Sequence, residues 1–369
     1  MTRKVRICLS DLPKDTPEDA SFFLAGTPNQ WQPDHGDFCF CRDEGQVPFL
    51  ELDVNGPIEF LITRGSWETE EAEANDRKKR ARIMHPNDGP EIHLEIPKWR
   101  DLVPQLHTVC GEMVIEKIKL PGFVDKRNLR ILLPHDYHAQ DRRYPVLYMT
   151  DGQNLFDEYT SHCGEWQIDE HLEALFQDGR CHGVIVVGID NAGHGRMEEY
   201  APWPFEYGGQ IYRNGGAAFA RALIDTVKPF IDRRFRTLPD QKNTAIAGSS
   251  LGGLISLYAG MRYQKIFGAV AALSPSIAIT RTKGAMKALI RKEGRIRGQR
   301  LYLDMGTEED YRGEIRQTRC IARYLQHKPH AQDCVLFRRI QGAGHSEAAW
   351  AARFPEILEF LFPQHIKPV

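Results

Sequence analysis

The chain has 369 residues, 41% hydrophobic and 27% charged, which suits about two soluble globular domains. Its formal net charge of −2 gives no overall pull towards nucleic acid or anionic membrane, so neither is expected as a partner. No apolar run approaches the roughly 18 residues of a transmembrane helix. After Met1-Thr2-Arg3-Lys4 the apolar stretch is brief, and Asp11, Lys14, Asp15, Glu18 and Asp19 follow, which no signal-peptide core tolerates. The 8 cysteines contain no C-x-x-C pair and suggest neither zinc nor a disulfide framework. Free thiols of this kind predict a cytoplasmic protein, with no metal and no cofactor expected.

The N-terminal third shows short β-type runs at Val5 to Leu9, Phe22 to Ala25, Phe38 to Cys41, Val47 to Val54, Ile58 to Thr63 and Ile92 to Ile96. Turn formers separate them, among them Pro33-Asp34-His35-Gly36, Asp43-Glu44-Gly45 and Asn55-Gly56-Pro57. This rhythm predicts an immunoglobulin-like β-sandwich over residues 1–97. Residues 98–112 read as a linker, and 113–369 as a second domain.

That second domain alternates apolar strands with helical patterns, which predicts an α/β doubly wound sheet. Strands are expected at Arg130 to Pro134, Val146 to Thr150, Val184 to Ile189, Asn243 to Ala247, Ala269 to Ser274, Arg300 to Asp304 and Val335 to Ile340. Helices are expected at Ile168 to Phe176, Gly215 to Phe230, Leu251 to Arg262, Glu314 to His327 and Ala348 to Leu361, the last kinked or split at Pro355.

Within this pattern Ala245-Ile246-Ala247-Gly248-Ser249-Ser250-Leu251-Gly252-Gly253 reads as strand, tight turn and helix. Gly248-x-Ser250-x-Gly252 is the nucleophile-elbow spacing, which lifts a serine hydroxyl above a sheet edge. Ser250 is the candidate nucleophile, and the Leu251 N–H faces the space where an oxyanion would form. His345, in the glycine-rich loop after the last strand, is the candidate general base. An acid should lie between them in sequence. Asp304 falls inside its strand, so the candidates are Glu308, Glu309 and Asp310 in the turn that follows.

Residues from about Ile118 to Phe362 resemble the esterase family of the α/β-hydrolase superfamily that includes enterochelin esterase-like, feruloyl esterase-like and esterase D-like enzymes. The resemblance rests on Tyr144 to Asp157 with its Asp151-Gly152-Gln153, Gly188-Ile189-Asp190-Asn191, the elbow, Leu273-Ser274-Pro275-Ser276, Gly306-Thr307-x-Glu309 and Gly344-His345-Ser346-Glu347 with Trp350. It implies a triad of Ser250, Glu309 and His345, and the Gln153 backbone N–H as second oxyanion donor beside Leu251. It also implies Asp151, Arg196, Glu199, Tyr200 and Trp350 as substrate-binding residues. For Arg196 and Glu199, an ion pair anchoring their loop is an equal expectation. The chain departs from the family at Thr150, where relatives carry histidine, and at Ile277-Ala278-Ile279, where relatives carry aromatics. The N-terminal region resembles starch- and glycogen-binding modules around Phe23 to Pro33 and Ile58 to Glu68. Trp31 and Trp67 are its candidate sugar-stacking residues, or else packing residues of the sandwich.

These features predict a serine hydrolase acting on a small or carbohydrate-linked carboxylic ester through an acyl-enzyme. The alternatives are acyl transfer by the same triad, cleavage of a siderophore lactone, and a non-catalytic glycan-binding protein.

Overall fold

Alternation along short strands builds the N-terminal part of the molecule. β1 (Arg3–Asp11) pairs with β3 (Phe49–Val54) and β7 (Glu91–Glu95), while β2 (Phe23–Gly26) pairs with β4 (Ile58–Thr63), which pairs with β6 (Arg82–Met84). Val5, Ile7, Leu50, Leu52 and Leu94 from the first sheet share one apolar core with Leu24, Phe60, Ile62 and Met84 from the second. The period of two thus turns one face of each sheet inward. A short pair, β5 (Glu71–Ala72) with β8 (Lys98–Trp99), adds the buried Trp99, which stacks on Phe22 at 5.6 Å. Phe38 closes a single 3-10 turn at Gly36–Phe38 in place of the expected strand start. Cys39 and Cys41 make only isolated bridges, to Phe23 and Phe49.

The chain divides into two compact units, Met1–Thr108 and Val109–Val369. Residues 98–102, expected as linker, instead form β8 and a 3-10 turn at Arg100–Leu102. The Trp99 side chain, which is fully buried in the first core, carries the chain further before it leaves. This computed structural model describes residues 3–29, 31–42, 47–79, 81–104, 107–161, 164–207, 209–294, 298–309, 313–328 and 334–367. The Asp43-Glu44-Gly45 turn and Asp310 lie outside the described residues.

The second unit holds a sheet with eight strands among the described residues, in the order β18-β17-β16-β15-β11-β12-β10-β9. Its strands are β9 (Met113–Lys119), β10 (Lys126–Leu132), β11 (Val146–Thr150), β12 (Ile185–Ile189), β15 (Thr244–Ser249), β16 (Ala269–Leu273), β17 (Arg300–Gly306) and β18 (Val335–Ile340). A hairpin of β13 (Phe205–Tyr207) and β14 (Gln210–Tyr212) stands apart. The run from β18 to β12 is parallel, and β10 and β9 are antiparallel to their neighbours. Parallel strands buried on both faces need continuous apolar sequence, and β11, β12, β15 and β16 are buried at every position.

Tyr148, Ile246, Val270 and Leu301 face one core, and Leu147, Ala245, Ala271 and Tyr302 the other. Helices α1 (Ile168–Gln177), α2 (Arg196–Glu199), α3 (Gly216–Ala222), α4 (Lys228–Arg234), α5 (Ser250–Arg262), α6 (Lys283–Glu293), α7 (Glu314–Gln326), α8 (Glu347–Ala351) and α9 (Phe354–Leu361) complete the unit. The stretch expected as one helix from Ala348 is split, with Pro355 in the first turn of α9, where its missing N–H costs nothing. The single helix expected from Gly215 to Phe230 is interrupted by a π turn at Leu223–Val227. Among the described residues no helix is long and apolar enough to cross a membrane.

Candidate active site

The carboxyl ends of β11, β15, β16, β17 and β18 carry the candidate residues, as expected for a doubly wound sheet. At the end of β15 the chain turns sharply into α5, and Ser250 takes a left-handed φ of 57°. Such a conformation costs a non-glycine residue of order 1–3 kcal/mol and persists only where packing enforces it. The enforcement is visible in the flanking glycines. A Cβ on either Gly248 or Gly252 would lie 2.2 Å from Thr150 Oγ1, so β11 and the elbow close against each other only without side chains there. Thr150 thus fills the place where the family pattern has histidine.

Ser250 Oγ is hydrogen-bonded to Ser276 Oγ at 3.1 Å, and the Ser276 N–H donates to the Ser250 carbonyl at 3.0 Å. Among the described residues no hydrogen bond joins Ser250 directly to His345. His345 Nδ1 instead meets Glu309 Oε2 at 2.6 Å. Glu309 is almost wholly buried, and its Oε1 accepts from the Ser274 hydroxyl at 2.7 Å and from the Gly306 N–H. Burial opposes ionisation of Glu309, but the His345 and Ser274 hydrogen bonds prevail and hold its carboxyl below the usual range. Ser274 also accepts from the Trp350 indole N–H at 3.0 Å, and Trp350 meets the His345 ring edge-on at 5.0 Å. Glu308, the neighbouring candidate acid, is exposed. Ser274-Pro275-Ser276 therefore connects the elbow on one side with the Glu309–His345 pair on the other.

Opposite lies the 3-10 turn Gly152–Asn154 that follows β11. The Gln153 N–H and the Leu251 N–H each sit in the first turn of a helix, where no intrahelical acceptor is available. Asp151, with φ 56°, is clamped by Arg196 through Nε at 2.7 Å and Nη2 at 2.8 Å, and accepts from Asn191 Nδ2 at 2.7 Å. Its N–H donates to the buried Tyr200 hydroxyl at 3.1 Å. The Asn191 N–H donates to Gln153 Oε1 at 3.2 Å.

Residues 122–361 match the model of a family described as "Putative esterase". The chain belongs to this esterase family. It is a carboxylic ester hydrolase with an α/β-hydrolase fold. Among its relatives is YbbA of Bacillus subtilis (strain 168), 26% identical over 245 residues, which are 64% of this chain and 92% of YbbA. The iron(III) enterobactin esterase of Escherichia coli (strain K12) is 30% identical over 133 residues, but these cover only 35% of this chain and 30% of that protein. The crystal structure of the enterobactin esterase of Shigella flexneri shares the fold with a TM-score of 0.56 at 16% identity, over 98% of this chain and 93% of that one.

Several residues of the esterase expected to touch substrate lie in its interior instead. Tyr200 is fully buried, and its hydroxyl is used by the Asp151 N–H. Glu199 is buried and pairs with Arg127 at 3.3 Å rather than with Arg196. Trp350 is buried beneath His345. Arg196 is partly accessible but committed to Asp151, itself buried. Each of the five makes at least one hydrogen bond or ion pair within the protein, while among the described residues Glu199 Oε1 is buried without a hydrogen-bond partner. Trp31 and Trp67 lie side by side in the first unit, their rings 6.4 Å apart and tilted by 33°, and both are half-buried.

Sequence reading missed the contact of Ser276 with Ser250 and the pairing of Arg353 with Asp304. The first follows from the β15-β16 register, which sets the ends of these strands side by side, whereas Arg353 reaches Asp304 from the turn between α8 and α9, 49 residues further along the chain. Glu347 was also missed as an interior group. Burial pushes its carboxyl from 4.5 up to about 7, with Asp151 adding to the shift and His345 and Arg196 opposing it. The folded chain then keeps a proton that the unfolded chain has lost, so stability falls as pH rises from 4.5 through 7. Urea unfolding at about pH 5 and about pH 8 should show wild type losing on the order of 3 kcal/mol relative to Glu347→Gln. Equal pH responses of the two proteins would contradict the assignment.

Proposed function

We propose that the esterase works through Ser250 as nucleophile, His345 as general base and Glu309 as the acid that orients it. The observation that carries this reading is the combination of the left-handed Ser250 at the elbow with the Glu309–His345 hydrogen bond at 2.6 Å. Ser250 Oγ attacks the ester carbonyl carbon as His345 Nε2 takes the hydroxyl proton. The carbonyl oxygen becomes an oxyanion facing the Leu251 and Gln153 N–H groups. Collapse expels the alcohol, which receives the proton from His345, and leaves an acyl-serine. Water, deprotonated by His345, then releases the carboxylic acid and restores Ser250. Glu309, ionised and buried, keeps the proton on Nδ1 and stabilises the imidazolium. The attack requires the Ser250 hydroxyl to exchange its hydrogen bond with Ser276 for one with His345.

The substrate we propose is a small or carbohydrate-linked carboxylic ester. A siderophore lactone is the second reading, favoured by the likeness to the Shigella flexneri enterobactin esterase over both units of the chain. The two separate in a substrate panel. Acetylated and feruloylated oligosaccharides, a cyclic catecholate triserine lactone, and short-chain p-nitrophenyl esters are each compared by kcat/KM. A preference of about 10-fold or more for the sugar esters supports the first reading, and the same preference for the lactone overturns it. Added alcohol or sugar acceptors that divert product from free acid to new ester would replace hydrolysis by acyl transfer.

A further inference from the structure

Two residues after His345, Glu347 opens helix α8 with its carboxyl buried. Its Oε1 accepts a hydrogen bond at 3.1 Å from Nδ2 of Asn154, 193 residues away in sequence. Asn154 closes the 3-10 turn whose middle residue is Gln153. We propose that Glu347 is a positioning residue, tying the oxyanion turn to the histidine loop through Asn154. This rests on the catalytic reading above.

The helix start does not depend on this carboxyl alone. Ser346 already caps α8, accepting from the Ala349 N–H at 3.3 Å. A glutamate serving only the helix dipole would do so from the surface, without the cost of desolvation. Other contacts hold the turn to the chain that immediately follows it: the Thr160 hydroxyl donates to the Gln153 carbonyl at 2.8 Å, and the Trp166 N–H to the Asn154 carbonyl at 2.9 Å. Arg196, Asn191 and Tyr200 hold it to the loop after β12. The Asn154–Glu347 contact fastens it to the segment that carries the base. An oxyanion donor misplaced by even about 0.5 Å loses much of its value, so such a tie acts on the transition state more than on substrate binding. The charged groups that act on the Glu347 carboxyl are Asp151, His345 and Arg196. In that setting the carboxyl is easily kept neutral, and a glutamine amide can replace its accepting oxygen.

The test compares Glu347→Ala, Glu347→Gln, Asn154→Ala and the double alanine variant by kcat and KM on p-nitrophenyl acetate. Glu347→Ala is expected to lose about 10²-fold in kcat, the loss typical of one oxyanion donor, with KM changing less than about threefold. Glu347→Gln regains most of that loss, and the double variant falls no further than the single ones. If Glu347→Ala does not fold, Asn154→Ala reads the same bond from the other side. The proposal is overturned if the folded alanine variants stay within about threefold of wild type in kcat, if Gln and Ala fall together, or if the losses simply multiply. Failure of the catalytic reading is separate, since it appears as wild-type protein that does not label at Ser250.

Discussion

Replacing Glu309 by glutamine is expected to lower kcat by about 10⁴-fold, the scale seen when a buried triad carboxylate becomes an amide. Glu309 Oε2 receives the Nδ1 proton of His345, and Oε1 receives the Ser274 hydroxyl and the Gly306 N–H. An amide supplies one accepting oxygen where the carboxylate supplies two. With its oxygen on Ser274 and Gly306, its NH₂ faces Nδ1 and favours the tautomer with the proton on Nε2, which cannot accept from Ser250. Steady-state kinetics on a p-nitrophenyl ester checks this. A loss of less than about tenfold in folded protein would move the acid role elsewhere. The same substitution tests linkage. Because the Glu309 carboxyl is held below its usual range, it contributes stability above the unfolded value that is lost as pH falls through the folded one. The Gln variant should lack this part of the acid-side decline.

The second large effect concerns stability. Asp304, fully buried in β17, accepts from Arg353 Nε at 2.5 Å and Nη2 at 3.1 Å, from the Tyr302 hydroxyl at 3.1 Å and from the Ser274 N–H at 3.1 Å. Arg353 is itself buried, and Nη2 also reaches Ser274 Oγ at 3.4 Å. Removing one member of a buried pair strands the other, at a cost of about 3–5 kcal/mol. Arg353→Met should lower the unfolding free energy by that amount in urea. Adding Asp304→Asn should recover part of it, because the stranded charge is gone. The loss of support at Ser274 should carry over to Glu309, so kcat falls as well. A change under about 1 kcal/mol would mean that the pair is neutral to the fold.

How much of this was legible in sequence depended on the range of the cause. The elbow was readable because strand, glycines and helix are local: Gly248 and Gly252 sit within two residues of Ser250, and their need for no side chain is a short-range steric fact. The parallel sheet was readable because burial on both faces leaves runs such as Val146 to Thr150 without polar breaks except at the end. The left-handed Ser250 and the Glu309–His345 contact join segments that a motif can only place in order.

Other features depended on side-chain partners far apart in the chain. Nothing local to Tyr200 or Trp350 tells that one serves the Asp151 N–H and the other Ser274, so both resembled cleft residues. Arg127 claims Glu199 across 72 residues, against the expected pairing of Glu199 with Arg196. Asp304 falls inside a strand, as the sequence pattern places it, but its partner Arg353 lies 49 residues later. The start of the linker was misplaced for a similar reason. Lys98 and Trp99 look like a connection until β5 is seen to pair with them.

The most direct test of the nucleophile is fluorophosphonate labelling of wild type and Ser250→Ala, with the modified site mapped by mass spectrometry and p-nitrophenyl ester turnover followed in parallel. The expected result is a single adduct on Ser250 in wild type, and loss of both adduct and turnover in the variant. Turnover that survives in Ser250→Ala, or an adduct mapped to Ser276 or another serine, would contradict the assignment.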